Sequence, residues 1–164
     1  MKIYFAKTKE NAVVPSKRDE DAGFDFYACF DEDYLKFEPF ETKYVPTGIA
    51  FAVDKRHYLQ IEERSSTGFK GLKKNSGVVD SGYRGEIILC LFNANAVPCY
   101  ISKLPYEEIE KLEKGKFVYF SYEKAVAQGV VHKLDKMKTK EVSYAQLKKI
   151  SSLRGDGKMG SSKK

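Results

Sequence analysis

The sequence predicts an all-β domain, a sandwich or a barrel, and three observations carry that prediction. Short apolar or alternating runs recur along the chain at strand length. Turn formers separate them: Pro15, Pro39, Pro46 and the stretch 68–76, which opens on Gly68 and closes on Ser76. Only one segment carries strong helix-start and helix-stop signals. With 164 residues, the chain is long enough to bury one substantial core.

Taken in order, strands are expected over 2–6, 23–30, 34–37, 43–45, 48–53, 58–63 and 77–79. Pro46 is expected to break the fourth from the fifth, because proline cannot donate to a ladder. The stretch 77–93 reads as a β-hairpin: Gly77-Val-Val runs into an Asp80-Ser-Gly turn, and Glu86 opens a second apolar arm over 86–93. Strands over 97–101, 116–121 and 125–132 follow. A helix is expected over 105–114, with Pro at its start, acids in its first turn, lysines in its last and Gly115 beyond. A weaker helix covers 144–150. From Arg154 onward the chain is mostly Gly, Ser and Lys, which cannot build a core and reads as a flexible arm. The expected organisation is one β domain over 1–152 and an arm over 153–164.

Charge and cysteine usage narrow the class. The formal net charge is +6 and the pI near 9.0, with the excess concentrated in residues 133–164 and the remainder close to balanced. No strand shows the basic-aromatic face of a nucleic-acid reader, so nucleic acid is not the expected partner. No apolar stretch is long enough for a membrane helix, and Met-Lys-Ile-Tyr-Phe leads into strand-like sequence without signal-peptide grammar. Cys29, Cys90 and Cys99 are odd in number and lack metal-ligand spacing. They read as reduced core thiols of a cytoplasmic protein.

Five segments carry side chains suited to a polyphosphate. In Asp21-Ala-Gly-Phe-Asp-Phe-Tyr-Ala28, Gly23 allows close backbone approach and Asp25 offers a carboxylate that can hold Mg²⁺ through water. Arg64-Ser-Ser-Thr-Gly68 combines a guanidinium fork, the Ser65 and Ser66 hydroxyls and loop amides. The 77–86 segment sets Asp80, Tyr83 and exposed backbone of Gly77, Val78 and Val79 close together. Ala125-Val-Ala-Gln128 places one amide on an apolar strand. Arg154-Gly-Asp-Gly-Lys-Met-Gly-Ser-Ser162 has the composition of a phosphate-cradling loop but not the Walker order. Each segment alone also fits a plain turn acid, a solvated Arg, a strand amide or a tail. No Ser or Cys has a His in a recognisable nucleophile setting, so any chemistry here is metal-assisted attack by water.

In this order the five segments resemble the five motifs of the homotrimeric dUTP diphosphatases (dUTPases), and Val45-Pro-Thr-Gly-Ile-Ala50 is similar to a further stretch of that family. The resemblance implies a jelly-roll-like β fold, a trimer with sites at subunit interfaces, and Mg²⁺-dependent hydrolysis of dUTP to dUMP and pyrophosphate. It assigns Asp80 as general base and Tyr83 as the ring that packs on deoxyribose. Gly77, Val78 and Val79 would read uracil. Arg64, Ser65, Ser66 and Gln128 would bind phosphates, and Asp25 would support the metal through water. Arg154, Met159, Gly160, Ser161 and Ser162 would close over the nucleotide.

The chain departs from the family in several places. Met159 stands where a uracil-stacking aromatic is usual and Lys158 where Gly is usual. Ala125, beside Lys124, replaces a basic residue, and the interval from Arg64 to Gly77 is short. An insert near 98–116 and an extension near 135–152 are similar to those of phage and some bacterial members, and the insert is a candidate surface for a regulatory protein partner. Three rival readings are a dCTP deaminase-like or bifunctional enzyme, a nucleotide-binding regulator acting through the insert, and a basic nucleic-acid-binding β domain. For the deaminase, His132 stands where that branch has a glutamate.

Overall fold

The computed structural model describes residues 2–75 and 77–157. Among these residues eleven strands, β1 (Ile3–Lys7), β2 (Gly23–Phe26), β3 (Tyr34–Phe37), β4 (Thr42–Val53), β5 (His57–Glu62), β6 (Leu72–Lys74), β7 (Val78–Val79), β8 (Glu86–Asn93), β9 (Cys99–Ser102), β10 (Val118–Ser121) and β11 (Ala127–Lys133), are interspersed with three short helices. The helices are α1 (Ser65–Phe69), α2 (Tyr106–Leu112) and α3 (Tyr144–Lys148). The strands form three open sheets in the orders β1-β4-β8-β6, β2-β11-β5-β7 and β10-β9-β3. The all-β expectation holds, as open layered sheets.

Period-two burial fixes which face each strand turns inward. In β8, Ile87, Leu89, Leu91 and Asn93 are buried while Ile88 is exposed. Together with Phe26, Phe37, Val45, Ile49, Leu59, Ile61, Cys99 and Ile101 they build one continuous core between the sheets. Removing each such Leu, Ile or Phe side chain from water contributes roughly 1.5–3 kcal/mol. Asn93, fully buried, donates through Nδ2 to the carbonyls of Glu38 (3.1 Å) and Val97 (2.9 Å), so its burial leaves no polar group unmet.

Four elements differ from the expectation, each for a local reason. Residues 43–45 and 48–53 form one continuous strand, β4, because Pro46 falls at a register shift between Pro46 and Ala50, the place in a ladder where a missing N–H is tolerated. Gly48 turns that bulge with φ +65°, and a Cβ there would meet Ala12 Cβ at 2.6 Å. The expected hairpin is absent: β7 pairs with β5 (Leu59 opposite Val79), whereas β8 pairs with β4 and β6. Residues 80–85 therefore carry the chain from one sheet to another. Ser65–Phe69 is a single helical turn, started by Thr67 N and Gly68 N donating to Arg64 O at 3.1 and 2.9 Å, and Leu72–Lys74 adds a strand inside the expected breaker.

The expected helix over 105–114 forms as α2, with Glu107 and Glu108 in its first turn, Lys111 in its last and Ile109 as its buried anchor. It bridges β9 and β10, which pair in parallel (Cys99 opposite Val118), so the insert is a βαβ crossover whose first strand lies in the core. Every residue from His132 to Asp156 is exposed. Among the described residues no helix is long and apolar enough to cross a membrane.

Candidate active site

A cavity of about 730 Å³ opens at the β2 edge of the second sheet. Gln128 on β11 lies between Asp25 on β2 and Glu62 on β5. Its side chain crosses Gly23 so closely that a Cβ there would stand 2.7 Å from Gln128 Oε1. A side chain at 23 would displace the amide, whose Nε2 donates to Glu63 O at 2.8 Å. Arg64, just beyond β5, reaches back over the same strands. Its Nε meets Asp25 Oδ1 at 2.9 Å, Nη2 donates to Asp25 Oδ2 at 3.3 Å, and Nη1 donates to Ala125 O at 3.0 Å. A guanidinium has five N–H donors, so two remain for a ligand. The Ser65 and Ser66 hydroxyls line the same space from α1.

Ser16, Lys17 and Arg18 also line this cavity. The sequence reading missed them because they precede the first motif as an ordinary basic loop. They are drawn in by Asp25 N, which donates to Ser16 O at 2.9 Å. Arg18 and Asp21 pair through Nε–Oδ2 at 2.9 Å. The Arg18 hydrogen bond holds the Asp21 carboxyl below the usual carboxylate range, and Arg18 is raised in turn. Lys17 Nζ donates to the carbonyls of Arg18 and Asp19 and lies 5.8 Å from the centre of the Phe24 ring, with no carboxylate partner among the described residues. Three cations face two carboxylates around the cavity, a balance that favours an anionic ligand.

A second cavity, about 250 Å³, is lined by Val78, Val79, Asp80, Tyr83, Glu86, Ile87 and Ile88. Its backbone wall is β7, the outer strand of its sheet. Ile61 N donates to Gly77 O at 2.7 Å, so by strand alternation the N–H and C=O of Val78 face away from β5 and stay open. The Tyr83 hydroxyl donates to Glu86 O at 2.9 Å, which folds its ring across Gly85. Glu86 in turn accepts from Gly48 N at 2.8 Å and from Thr8 Oγ1 at 3.2 Å, bracing the loop against the β4 bulge. Asp80 is exposed. Its carbonyl accepts from Tyr83 N at 3.0 Å, and its carboxylate makes no hydrogen bond or ion pair with any described residue.

The two cavities share no residue. β2 and β7 are the opposite edges of one sheet, three strand spacings apart, or about 14 Å. The structure thus brings Asp25, Arg64, Ser65, Ser66 and Gln128 together, and separately Gly77, Val78, Val79, Asp80 and Tyr83.

The described part of the fifth segment, 154–157, lines neither cavity. Arg154 Nε donates to Gly157 O at 3.2 Å, Arg154 N and Gly155 N donate to Ser152 Oγ, and Asp156 pairs with Lys148 of α3 at 3.2 Å. Met159, Gly160, Ser161 and Ser162 lie outside the described residues.

The protein is thus an open-sheeted β fold with a net-positive cradle at one sheet edge and a smaller lip carrying an unpaired carboxylate at the other. The chain belongs to the dUTPase family, whose model matches residues 9–104. Deoxyuridine 5'-triphosphate nucleotidohydrolase of Wolinella succinogenes is 33% identical over 172 residues, covering 100% of this chain and 95% of that protein. The enzyme of the same name from Leptospira interrogans is 36% identical over 97 residues, which span 57% of this chain and 66% of that relative. The Staphylococcus bacteriophage 80alpha dUTPase, solved with dUPNHPP, superposes with a TM-score of 0.76 over 99% of each chain at 19% identity, a likeness of fold. The fold is accordingly the jelly-roll-like one of this family.

Proposed function

We propose that this chain hydrolyses dUTP to dUMP and pyrophosphate, limiting dUTP and supplying dUMP for dTMP synthesis. The observation that carries the reading is the open edge of β7 beside the bare Asp80 carboxylate. One outward N–H and one outward C=O on Val78 match the acceptor–donor edge of uracil. Cytosine reverses that pattern at N3 and at its exocyclic group, leaving buried polar groups unmet at about 1–3 kcal/mol each. Tyr83 flanks the sugar and leaves no room for a 2′-hydroxyl. Asp80 orients a water and accepts its proton as the oxygen attacks the α-phosphorus. The two remaining Arg64 donors, the Ser65 and Ser66 hydroxyls, Gln128 and Lys17 hold the phosphates in line.

Mg²⁺ fits this donor set only through water. Both Asp25 oxygens already accept from Arg64, each keeping lone pairs for a metal-bound water, and among the described residues no three acidic, His or Cys side chains cluster. Bound in that way, the ion neutralises charge on the triphosphate.

Because the two cavities lie on opposite sheet edges, the working site forms between copies of the chain, a homotrimer in the cytoplasm. Exposed Phe69 (97%) and Tyr44 (76%) are surfaces such an assembly covers. Arg154 and the residues after it close over the nucleotide from a neighbouring copy. The α2 insert, with exposed Tyr106 and Leu112, is a surface for a regulatory protein.

The deaminase reading is disfavoured by His132, which stacks on Tyr58 at 5.3 Å on an exposed strand end and lines neither cavity. The test is a nucleotide panel with Mg²⁺, reading pyrophosphate and ammonia together. Pyrophosphate release from dUTP well above that from dCTP, dTTP and UTP is expected. No release above background overturns the reading, and ammonia from dCTP replaces it with deamination.

A further inference from the structure

A third cavity, about 370 Å³, adjoins the phosphate cradle at α1. The two cavities share Arg64 and Ser66, so the first turn of α1 is the wall between them. Buried Thr67, Phe120 and Ala125 make the floor of the third cavity. Lys70, Ser121 and Lys124 rise around it. Lys70 Nζ lies 3.4 Å from Tyr119 O and 5.3 Å from the Phe120 ring centre, and has no carboxylate partner. Lys124 is presented by a turn in which its N–H donates to Ser121 O at 3.0 Å, and it too is in no ion pair with a described residue. No acidic side chain lines this cavity. Arg64 faces it already paired with Asp25, so the uncompensated charge comes from the two lysines.

Two ammonium groups without a carboxylate partner, with Ser66 and Ser121 beside them over a largely apolar floor, supply the donors that a small oxyanion needs. We propose that this pocket binds inorganic pyrophosphate, receiving the product as it leaves the cradle past Arg64 and Ser66. The inference rests on the dUTP-hydrolase reading for its ligand, and on the residues of this chain for its place. Lys124 also gives a role to the departure at Ala125. The basic group missing from the fourth motif stands one residue earlier and faces the product pocket.

The test is calorimetric titration of the intact chain with pyrophosphate, without nucleotide, for the parent, Lys70→Gln, Lys124→Gln, the double variant and a Lys55→Gln control. Lys55 precedes β5, at the end of that strand remote from Arg64. Each pocket lysine removed should weaken pyrophosphate binding by roughly tenfold, as for loss of a hydrogen bond to a charged group. Lys124→Arg should restore it and Lys55→Gln should leave it unchanged. In steady-state assays the double variant should lose product inhibition by the same factor. Unchanged binding in the double variant overturns the proposal, as does binding abolished by Lys17→Gln alone, which would put the anion in the main cradle. Binding lost with the lysines in a chain that does not hydrolyse dUTP would refute the activity and leave the site standing.

Discussion

Replacing Gly77 with Ala tests the recognition of the base through backbone geometry, without touching a charged group. A Cβ at this position would stand 2.5 Å from Ile61 O and 3.0 Å from Gln60 Nε2. The nearer contact is with backbone, so no rotamer change relieves it, and β7 must retreat about 0.9 Å to restore ordinary contact at 3.4 Å. Only Val78 and Val79 are in register with β5, and the retreat strains the 2.7 Å bond from Ile61 N to Gly77 O. Overpacking of this kind costs about 1–3 kcal/mol. Against a domain stability of about 5–15 kcal/mol, the variant should still fold. The open N–H and C=O of Val78 shift with the strand. The hydrogen-bond mismatch proposed to reject cytosine, about 1–3 kcal/mol, shrinks, so the ratio of kcat/KM for dUTP over dCTP should fall by about tenfold to a hundredfold, chiefly through a raised KM for dUTP. The assay is pyrophosphate release from both nucleotides, with a urea midpoint to register the strain. A variant that loses stability but keeps its full preference for dUTP would refute uracil reading by the β7 edge.

Asp80→Asn should keep nucleotide binding, measured by calorimetry with a non-hydrolysable dUTP analogue, while turnover falls by at least about a hundredfold, the lower end of general-base catalysis. Ending the chain at Leu153 should cut kcat/KM sharply and leave the thermal midpoint unchanged, because every residue from His132 to Asp156 is exposed and none contributes to the core. Light scattering should give three times the chain mass, and a stable monomer should be inactive. Burial pushes the Cys99 thiol up to about 12, and burial together with the Glu113 hydrogen bond pushes Tyr100 up to about 12. Above pH 9 the unfolded chain therefore releases protons that the folded chain retains. Stability falls as pH rises from about 9 to 12, read as a falling urea midpoint, and Cys99 should resist thiol reagents at pH 8 until the chain unfolds.

The fold class and most strand positions were legible because period-two burial is written locally, as in Ile87, Leu89 and Leu91. The pairing of the strands was not. The run from Val78 to Phe92 has the residues of a hairpin, and nothing local distinguishes a turn that returns to its own sheet from one that crosses to another. That choice is made by Ile61, which takes Gly77 as its partner. The β4 bulge was hidden for a similar reason. Pro46 is a breaker in isolation, but a long strand tolerates it where Gly48 supplies φ +65° and Glu86 caps the Gly48 amide. Candidate residues were readable by type, whereas their division between two cavities depends on the order β2-β11-β5-β7, which no short window encodes.

In the proposed site, the Arg64–Asp25 pair is what would order so exposed a cradle. Both side chains are about one-third exposed, so their mutual attraction is screened and contributes little to stability. Its effect is on geometry. With Nε and Nη2 on Asp25 and Nη1 on Ala125 O, the guanidinium plane is fixed before any phosphate arrives, and its two remaining N–H groups need no further ordering. Lys17, held by carbonyls and the Phe24 ring rather than by a carboxylate, can move with the ligand. Arg64→Lys should therefore be more damaging than its conserved charge implies, because an ammonium cannot bridge Asp25 and Ala125 while offering two directed donors to a phosphate. The loss should appear in kcat more than in KM, since misplaced phosphates still bind but no longer hold the α-phosphorus in line with the water on Asp80. A Lys variant with parent kcat and only a raised KM would show that Arg64 supplies charge alone.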